Sequence, residues 1–228
     1  MDVRNINLSR GIIERLEILK DRTMSDPSHP GPVTPRTAYH HGDLRAQLIA
    51  AVRELVESHG PDGFSVSEAA RRAGVSSAAP YKHFKDRNEI LRGVVAEGMD
   101  RLREAMQAGA ASHPDGSLEA VAAVGQAYVT FARTEPGVFR LVFGLTEGHQ
   151  DDPDLLAKGQ DCFGVVVQAA ARCLTLPPTD PEVMRRAYML WSFVHGHSFL
   201  IIDRKTDVVT GDIDDWPFLM AISRAVLQ

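Results

Sequence analysis

The sequence predicts an all-α chain of about nine helices. Three observations point there. Apolar residues recur at a period near 3.6 in one stretch after another from residue 44 to residue 227. Capping residues and Pro or Gly breakers stand at the ends of those stretches. No run alternates apolar and polar in the way a half-buried strand requires. The expected order is a 1–38 extension, a three-helix unit over 39–102 with a helix-turn-helix at 65–84, and a six-helix body over 103–228.

In chain order, Leu8, Ile12, Leu16 and Leu19 suggest a short amphipathic helix within 1–23. SDPSHPGPVTPRT (25–37) carries four prolines and a glycine and reads as a linker. Met24 precedes it and is an alternative start. From Asp43, a possible N-cap, to His59 the apolar stripe is Leu44, Leu48, Ala51, Val52, Leu55 and Val56, and Gly60 ends the helix. Ser65-x-x-Glu68 opens a short helix, about 66–73, with Val66, Ala69, Ala70 and Ala73 inward. Gly74-Val75-Ser76 is the turn, and a helix is expected over 77–84 with Pro80 in its first turn.

Asp86-x-x-Glu89 starts a long helix to about 108. Further helices are expected over 117–134, 136–143 and 155–174. The remaining two are placed at about 180–203, behind Thr179-x-x-Glu182, and at 216–227, behind Asp214 and Asp215. Stretches 144–154 and 205–213 read as loops.

The 65–84 stretch has what a helix-turn-helix needs. Ala69, Ala70 and Gly74 allow two helices to cross closely, with Val75 as an apolar plug. Ser76 can cap the second helix, which offers Ser77, Ala78, Tyr81 and Lys82 to a major groove. Ser65, Ser67, Lys85, Arg87 and the N–H groups opening the long helix are candidate phosphate donors. Long base-reading side chains are few, so modest direct readout is expected, with shape and backbone contacts supplying the rest.

Over about 39–95 the residues resemble the TetR family of bacterial transcriptional regulators. The resemblance rests on Gly74-Val75-Ser76, Tyr81, His83-Phe84, Arg87 and Ile90-Leu91 at fixed spacing. Two positions depart from the family pattern, Ala79-Pro80 before Tyr81 and arginine rather than lysine at 87. AAPYKHF, YHHGDLR (39–45) and Trp191-x-x-x-His195-Gly196 together resemble a subgroup with a Trp–His–Gly signature in its C-terminal domain. The resemblance implies phosphate contacts at Tyr81, Lys85 and Arg87, base-facing positions at Ser77, Ala78 and Lys82, and a His83 that is partly structural, packed at the end of the helix, and counted with Ser76 among the DNA-binding residues. It also implies a homodimer on a double-stranded palindromic operator, and a repressor released by a small-molecule effector. The alternative is a helical small-molecule-binding protein with a vestigial helix-turn-helix.

The charge distribution fits the first reading. Net charge is −5 overall, but residues 1–92 carry 14 basic against 12 acidic side chains and residues 93–228 carry 11 against 18. A local basic strip on an acidic body suits a protein that holds one stretch of phosphate backbone. No apolar run reaches the about 18 residues a membrane span needs. With no secretory signal visible, a cytoplasmic protein is expected. Cys162 and Cys173, eleven residues apart on one predicted helix, cannot bridge each other.

In the body, the dimer interface is expected on the last two helices, at Tyr188, Trp191, Phe199, Trp216, Met220 and Val226. Candidate pocket residues are Met99, Met106, Tyr128, Phe131, Phe139, Phe143, Phe163, Met184, Met189 and Phe193. No metal site is expected. His40-His41 lies near the nucleic-acid face, and His195 and His197, two apart on a helix, diverge. His195 is expected to hydrogen-bond in the core, with Gly196 allowing close packing. No nucleophile elbow, phosphate-binding glycine loop or HExxH is present, so neither catalysis nor a cofactor is expected.

Overall fold

The computed structural model describes residues 44–144, 152–206 and 213–228. The expected helix within 1–23, the 25–37 linker, His40-His41, the Asp43 cap and most of the loops at 144–154 and 205–213 lie outside the described residues. Among those described there are eight α-helices, one 3₁₀ segment and no strand: α1 (Leu44–His59), α2 (Val66–Arg72), the 3₁₀ segment (Pro80–Lys82), α3 (Arg87–Ala111), α4 (Leu118–Thr134), α5 (Pro136–Phe143), α6 (Pro153–Leu174), α7 (Pro181–Ile202) and α8 (Asp215–Leu227).

Side chains set most of the helix starts. Ser65, Asp86, Ser117, Asp152, Asp180 and Asp214 each accept a hydrogen bond from a backbone N–H in the first turn behind them. The cap of α7 is therefore Asp180 rather than Thr179, and α6 begins two residues earlier than expected because Asp152 caps it with Pro153 at its first position. Glu89 completes the box at α3 by accepting from the Lys85 N–H at 2.6 Å, while its own N–H donates to Asp86 Oδ1 at 2.8 Å.

One expected helix is not formed. Over 77–84 the chain makes turns and the 3₁₀ segment instead. Pro80 has no N–H with which to close a bond to Ser76 O, and the Ala79 N–H takes that carbonyl at 3.0 Å. Lys82 N to Ala79 O (3.1 Å) and His83 N to Pro80 O (2.9 Å) continue the three-residue spacing.

α4 is the centre of the body. It packs on α3, α6, α7 and α8 and buries residues around most of its circumference, from Ala120 to Gly125 and again at Tyr128, Val129, Phe131 and Ala132. α3 joins the two halves. Ile90, Leu91 and Val94 sit in the same continuous core as Leu48, Val52 and Leu55 of α1, and Leu102 and Met106 are buried further along it. The expected boundary at residue 102 thus falls inside one unbroken helix of 25 residues. Arg186 ties α7 to the end of α8 by donating to Val226 O at 2.7 Å, and Glu182 holds both Arg185 and Arg186.

A second junction joins α1 to α5. Glu135, the N-cap of α5, makes no side-chain cap bond. The carboxylate of Glu57 on α1 takes that role, accepting from the Gly137 N–H at 2.9 Å and the Val138 N–H at 2.7 Å. The approach requires glycine at 137, since a Cβ there would lie 2.6 Å from Val56 O. Arg101 of α3 grips Glu135 through two guanidinium nitrogens, at 3.0 and 2.5 Å.

Candidate functional site

The helix-turn-helix geometry follows from small residues. Ala69 and Ala70 are fully buried, and Gly74 takes a φ of +71°, in the left-handed region. The Val75 N–H then closes onto Ala70 O at 2.9 Å, with its side chain half-buried beneath the turn. Ser65 Oγ caps α2 through the Glu68 N–H and lies 3.1 Å from Ser67 Oγ. Beyond the turn, Ser76, Ser77, Ala78, Tyr81, Lys82, His83 and Lys85 are all exposed, Tyr81 at 63%. Pro80 and Phe84 are buried and pin this surface segment to the core.

Three expectations change here. His83 is exposed rather than packed; Phe84 beside it fills the core, with the Arg45 guanidinium 5.2 Å from its ring centroid. Arg87 is half-buried, with its guanidinium 4.5 Å over the Phe64 ring and donating to Pro61 O, so it fastens the turn before α2 to the start of α3. At the opening of α3 the Glu89 N–H is taken by Asp86 Oδ1, and the Glu89 carboxylate, which accepts from the Lys85 N–H, brings a second negative charge to the end expected to hold a phosphate.

The body holds an apolar cavity of about 490 Å³, open on one side. α3 supplies Val95, Met99 and Met106, α4 supplies Tyr128, α5 supplies Val142 and Phe143, α6 supplies residues from Leu155 to Val166, and α7 supplies Trp191. Of the expected pocket residues, Met99, Met106, Tyr128, Phe143 and Phe163 line it. The others lie elsewhere. Phe131 and Phe139 are core, Met184 and Met189 are exposed at 43% each, and Phe193 packs on Phe218 with ring centroids 5.2 Å apart. Leu155, Gly159, Cys162 and Val166 were the legible signal that went unused, a stripe along one face of α6.

Behind the cavity wall lies a polar cluster. Tyr128 Oη and His195 Nδ1 are 2.8 Å apart, and the Trp191 ring lies against His195 with centroids 5.6 Å apart. Burial sets both protonation states. It pushes the Tyr128 phenol far above its ordinary value and the His195 imidazole below its own, so the two meet as a neutral phenol and a neutral imidazole. The Trp191–His195 pair, one helical turn apart, packs ring against ring, with His195 bonded to the Tyr128 hydroxyl. Gly196 is exposed, and a Cβ there would meet nothing within 4 Å among the described residues, so it serves no close packing against them.

Burial also raises the Cys162 thiol to about 11, and its Sγ lies 3.3 Å from Met99 O. His197 points away from His195, buried, with Nε2 3.3 Å from Asp215 Oδ1. Among the described residues no group of three potential metal ligands comes together.

The residues expected at a dimer interface divide. Trp191 lines the cavity, and Phe199 packs inward, 5.3 Å from Phe139 and 5.0 Å from His195 by ring centroids. Tyr188 is 59% exposed, and Trp216, at 36%, stacks on His113. Met220 and Val226 are half-buried. Met184, Met189 and Leu200 add further exposed apolar surface to α7.

Residues 48–94 match the family described as bacterial regulatory proteins of the tetR family, and residues 121–220 match the tetracyclin repressor-like C-terminal domain. The chain belongs to the TetR family. Among curated relatives of this TetR-family regulator, the transcriptional regulator BetI of Klebsiella pneumoniae is 34% identical over 73 residues, 32% of this chain and 37% of BetI. BetI of Escherichia coli is 33% identical over 75 residues, 33% of this chain and 38% of that protein. The chain thus matches little more than a third of the length of these relatives.

Among solved structures, a Rhodococcus sp. RHA1 protein of unknown function superposes with a TM-score of 0.72 at 28% identity, covering 84% of this chain and all of that one. FadR of Bacillus subtilis, solved in complex with stearoyl-CoA, shares the fold at a TM-score of 0.57 and 16% identity, over 80% of this chain and 97% of that one. Among the described residues no helix is long and apolar enough to cross a membrane.

Proposed function

We propose that this TetR-family regulator is a cytoplasmic homodimeric repressor that binds a palindromic operator and is released by a small molecule entering the apolar cavity. The observation that carries the reading is that cavity and helix-turn-helix share two helices. α3 packs Ile90, Leu91 and Val94 under the helix-turn-helix and lines the cavity with Val95, Met99 and Met106. α5 lines the cavity at Val142 and Phe143, and its other end is held on α1 by Glu57. A ligand that favours one arrangement of these helices shifts the spacing of the two operator-reading units, and so changes DNA affinity.

In this reading Tyr81, Lys85, Ser65 and Ser67 meet phosphates, and Ser76, Ser77, Ala78, Lys82 and the exposed His83 face the groove. Arg87 positions the motif rather than touching DNA. The exposed apolar residues of α7 and α8, chiefly Met184, Tyr188, Met189, Leu200 and Trp216, form the two-fold interface. The test is a gel shift with the intergenic DNA beside the protein's own gene across a salt series. Specific binding that weakens steeply with salt is expected. No specific shift at any salt refutes the reading in favour of a ligand-binding protein with an idle helix-turn-helix.

A further inference from the structure

We infer that the molecule the cavity takes is uncharged and mostly apolar, with one polar group at the end nearest Gln160. The inference rests on the reading of this cavity as the effector site. Among the described residues, none of the fifteen lining it carries a charge. Three cations on neighbouring turns are already paired. Lys158 Nζ lies 2.6 Å from both carboxylate oxygens of Asp100, Arg92 pairs with Asp152 at 3.6 Å, and Arg101 pairs with Glu135. An anionic ligand would have to pull Lys158 off Asp100, and a cationic one would have to win Asp100 from Lys158. Either exchange leaves one charge unpaired beside an apolar wall, which is unfavourable.

The polar atoms inside are equally committed. The Tyr128 hydroxyl has His195, and the Cys162 thiol has Met99 O. Gln160 is different. Its side chain is exposed and makes no hydrogen bond among the described residues, and it borders both the cavity and a polar groove beside it lined by Arg103, Gln107, Asp161 and Arg172. Among the described residues it is the one side-chain amide on the cavity lining, placed to donate to or accept from a ligand whose body lies among Met99, Phe143, Phe163 and Trp191. A volume of about 490 Å³ suits a medium-sized organic molecule.

The chain has two tryptophans, so Trp216→Phe leaves Trp191 as the reporter in the cavity wall. Full-length protein carrying that change is titrated with decan-1-ol, 1-naphthylmethanol, decanoate and decylammonium at neutral pH, below micelle-forming concentrations, and Trp191 emission is followed. Saturable changes are expected with at least one neutral probe, at a Kd at least tenfold below that of either ion. Adding Gly159→Phe, at a position where a Cβ meets nothing within 4 Å, should abolish them by filling the cavity. Ions binding as tightly as the neutral probes, or no saturable response to either neutral probe, overturns the inference. The operator gel shift with the same probes separates the two readings. Neutral probes that bind at Trp191 yet leave DNA affinity unchanged overturn the effector role and leave the ligand class standing.

Discussion

Glu57 makes the most exacting test of how the two halves are joined. Its carboxylate is the external cap of α5, holding two half-buried N–H groups at 2.9 and 2.7 Å where the local N-cap Glu135 offers none. Replacing a capping side chain with alanine costs about 0.5–2 kcal/mol. An anion at a partly buried helix N-terminus contributes up to about 2 kcal/mol. These describe the same interaction from two sides and are not summed, so Glu57→Ala is expected to cost about 2 kcal/mol and Glu57→Gln, which keeps a neutral acceptor, about half of that. For a chain of this size each kcal/mol moves Tm by about 2–4 °C, so the alanine variant should melt about 4–8 °C lower.

The control is Glu54→Ala, one turn away on α1. Its ion pair with Arg72 is 3.5 Å long and its side chain is 62% exposed, worth about 0–1 kcal/mol. Thermal melts followed by circular dichroism, with urea titrations for the free energy, decide the matter. A Glu57→Ala loss no larger than that of Glu54→Ala would falsify the capping argument.

Other outcomes follow from the same geometry. Lys85→Ala should weaken DNA binding evenly across sequences and lower the slope of log affinity against log salt by about 1, whereas Lys82→Ala should cost about 1–3 kcal/mol selectively on the preferred site; gel shifts over a salt series read both. Leu200→Arg, on the exposed face of α7, should shift the protein to monomer in analytical ultracentrifugation and leave the monomer folded; an unchanged dimer would place the interface elsewhere. The depressed pKa of His195 makes stability pH-dependent. Its neutral form is favoured in the folded state, so stability is full above the ordinary value of 6.5 and declines as pH falls from there toward the depressed folded value. His195→Gln should flatten the urea-derived stability curve below that ordinary value.

Much of this architecture was legible because it is local. The apolar period and the capping residues set α5 at 136–143 and the starts of α2, α3 and α4, and these depend on neighbours within four residues. The Pro80 segment was misjudged although the cause is equally local, since a proline tolerated in a first helical turn also removes the donor that would have closed that turn. What the period cannot tell is which apolar stripe faces inward. α7 has two. Val183, Ala187, Leu190 and Val194 go to the core, while Met184, Tyr188, Met189 and Leu200 go to the surface. Trp191 and Phe199 lie between the stripes, which is why an interface was expected where the structure has a cavity wall and core packing. Glu57 was invisible for another reason, as its partners lie 80 and 81 residues away.

The two junctions differ in kind, and the difference bears on how a ligand could act. α3 is a single helix of 25 residues, about 37 Å long. Its rigidity carries any tilt at Met99 or Met106 to Ile90 and Leu91 beneath the helix-turn-helix. α5 is only eight residues long, with Phe143 on the cavity and Gly137 under the Glu57 carboxylate at its opposite end. A ligand pressing on Phe143 therefore acts close to the Glu57 contact, and that contact is polar and confined to one side chain. If both junctions carry the response, removing the Glu57 carboxylate should reduce the effector's influence on operator affinity without abolishing it, because α3 still connects the two sites. A variant that binds operator as tightly as the parent but releases it less completely at saturating ligand would assign α5 its share. Full release would leave α3 as the sole route.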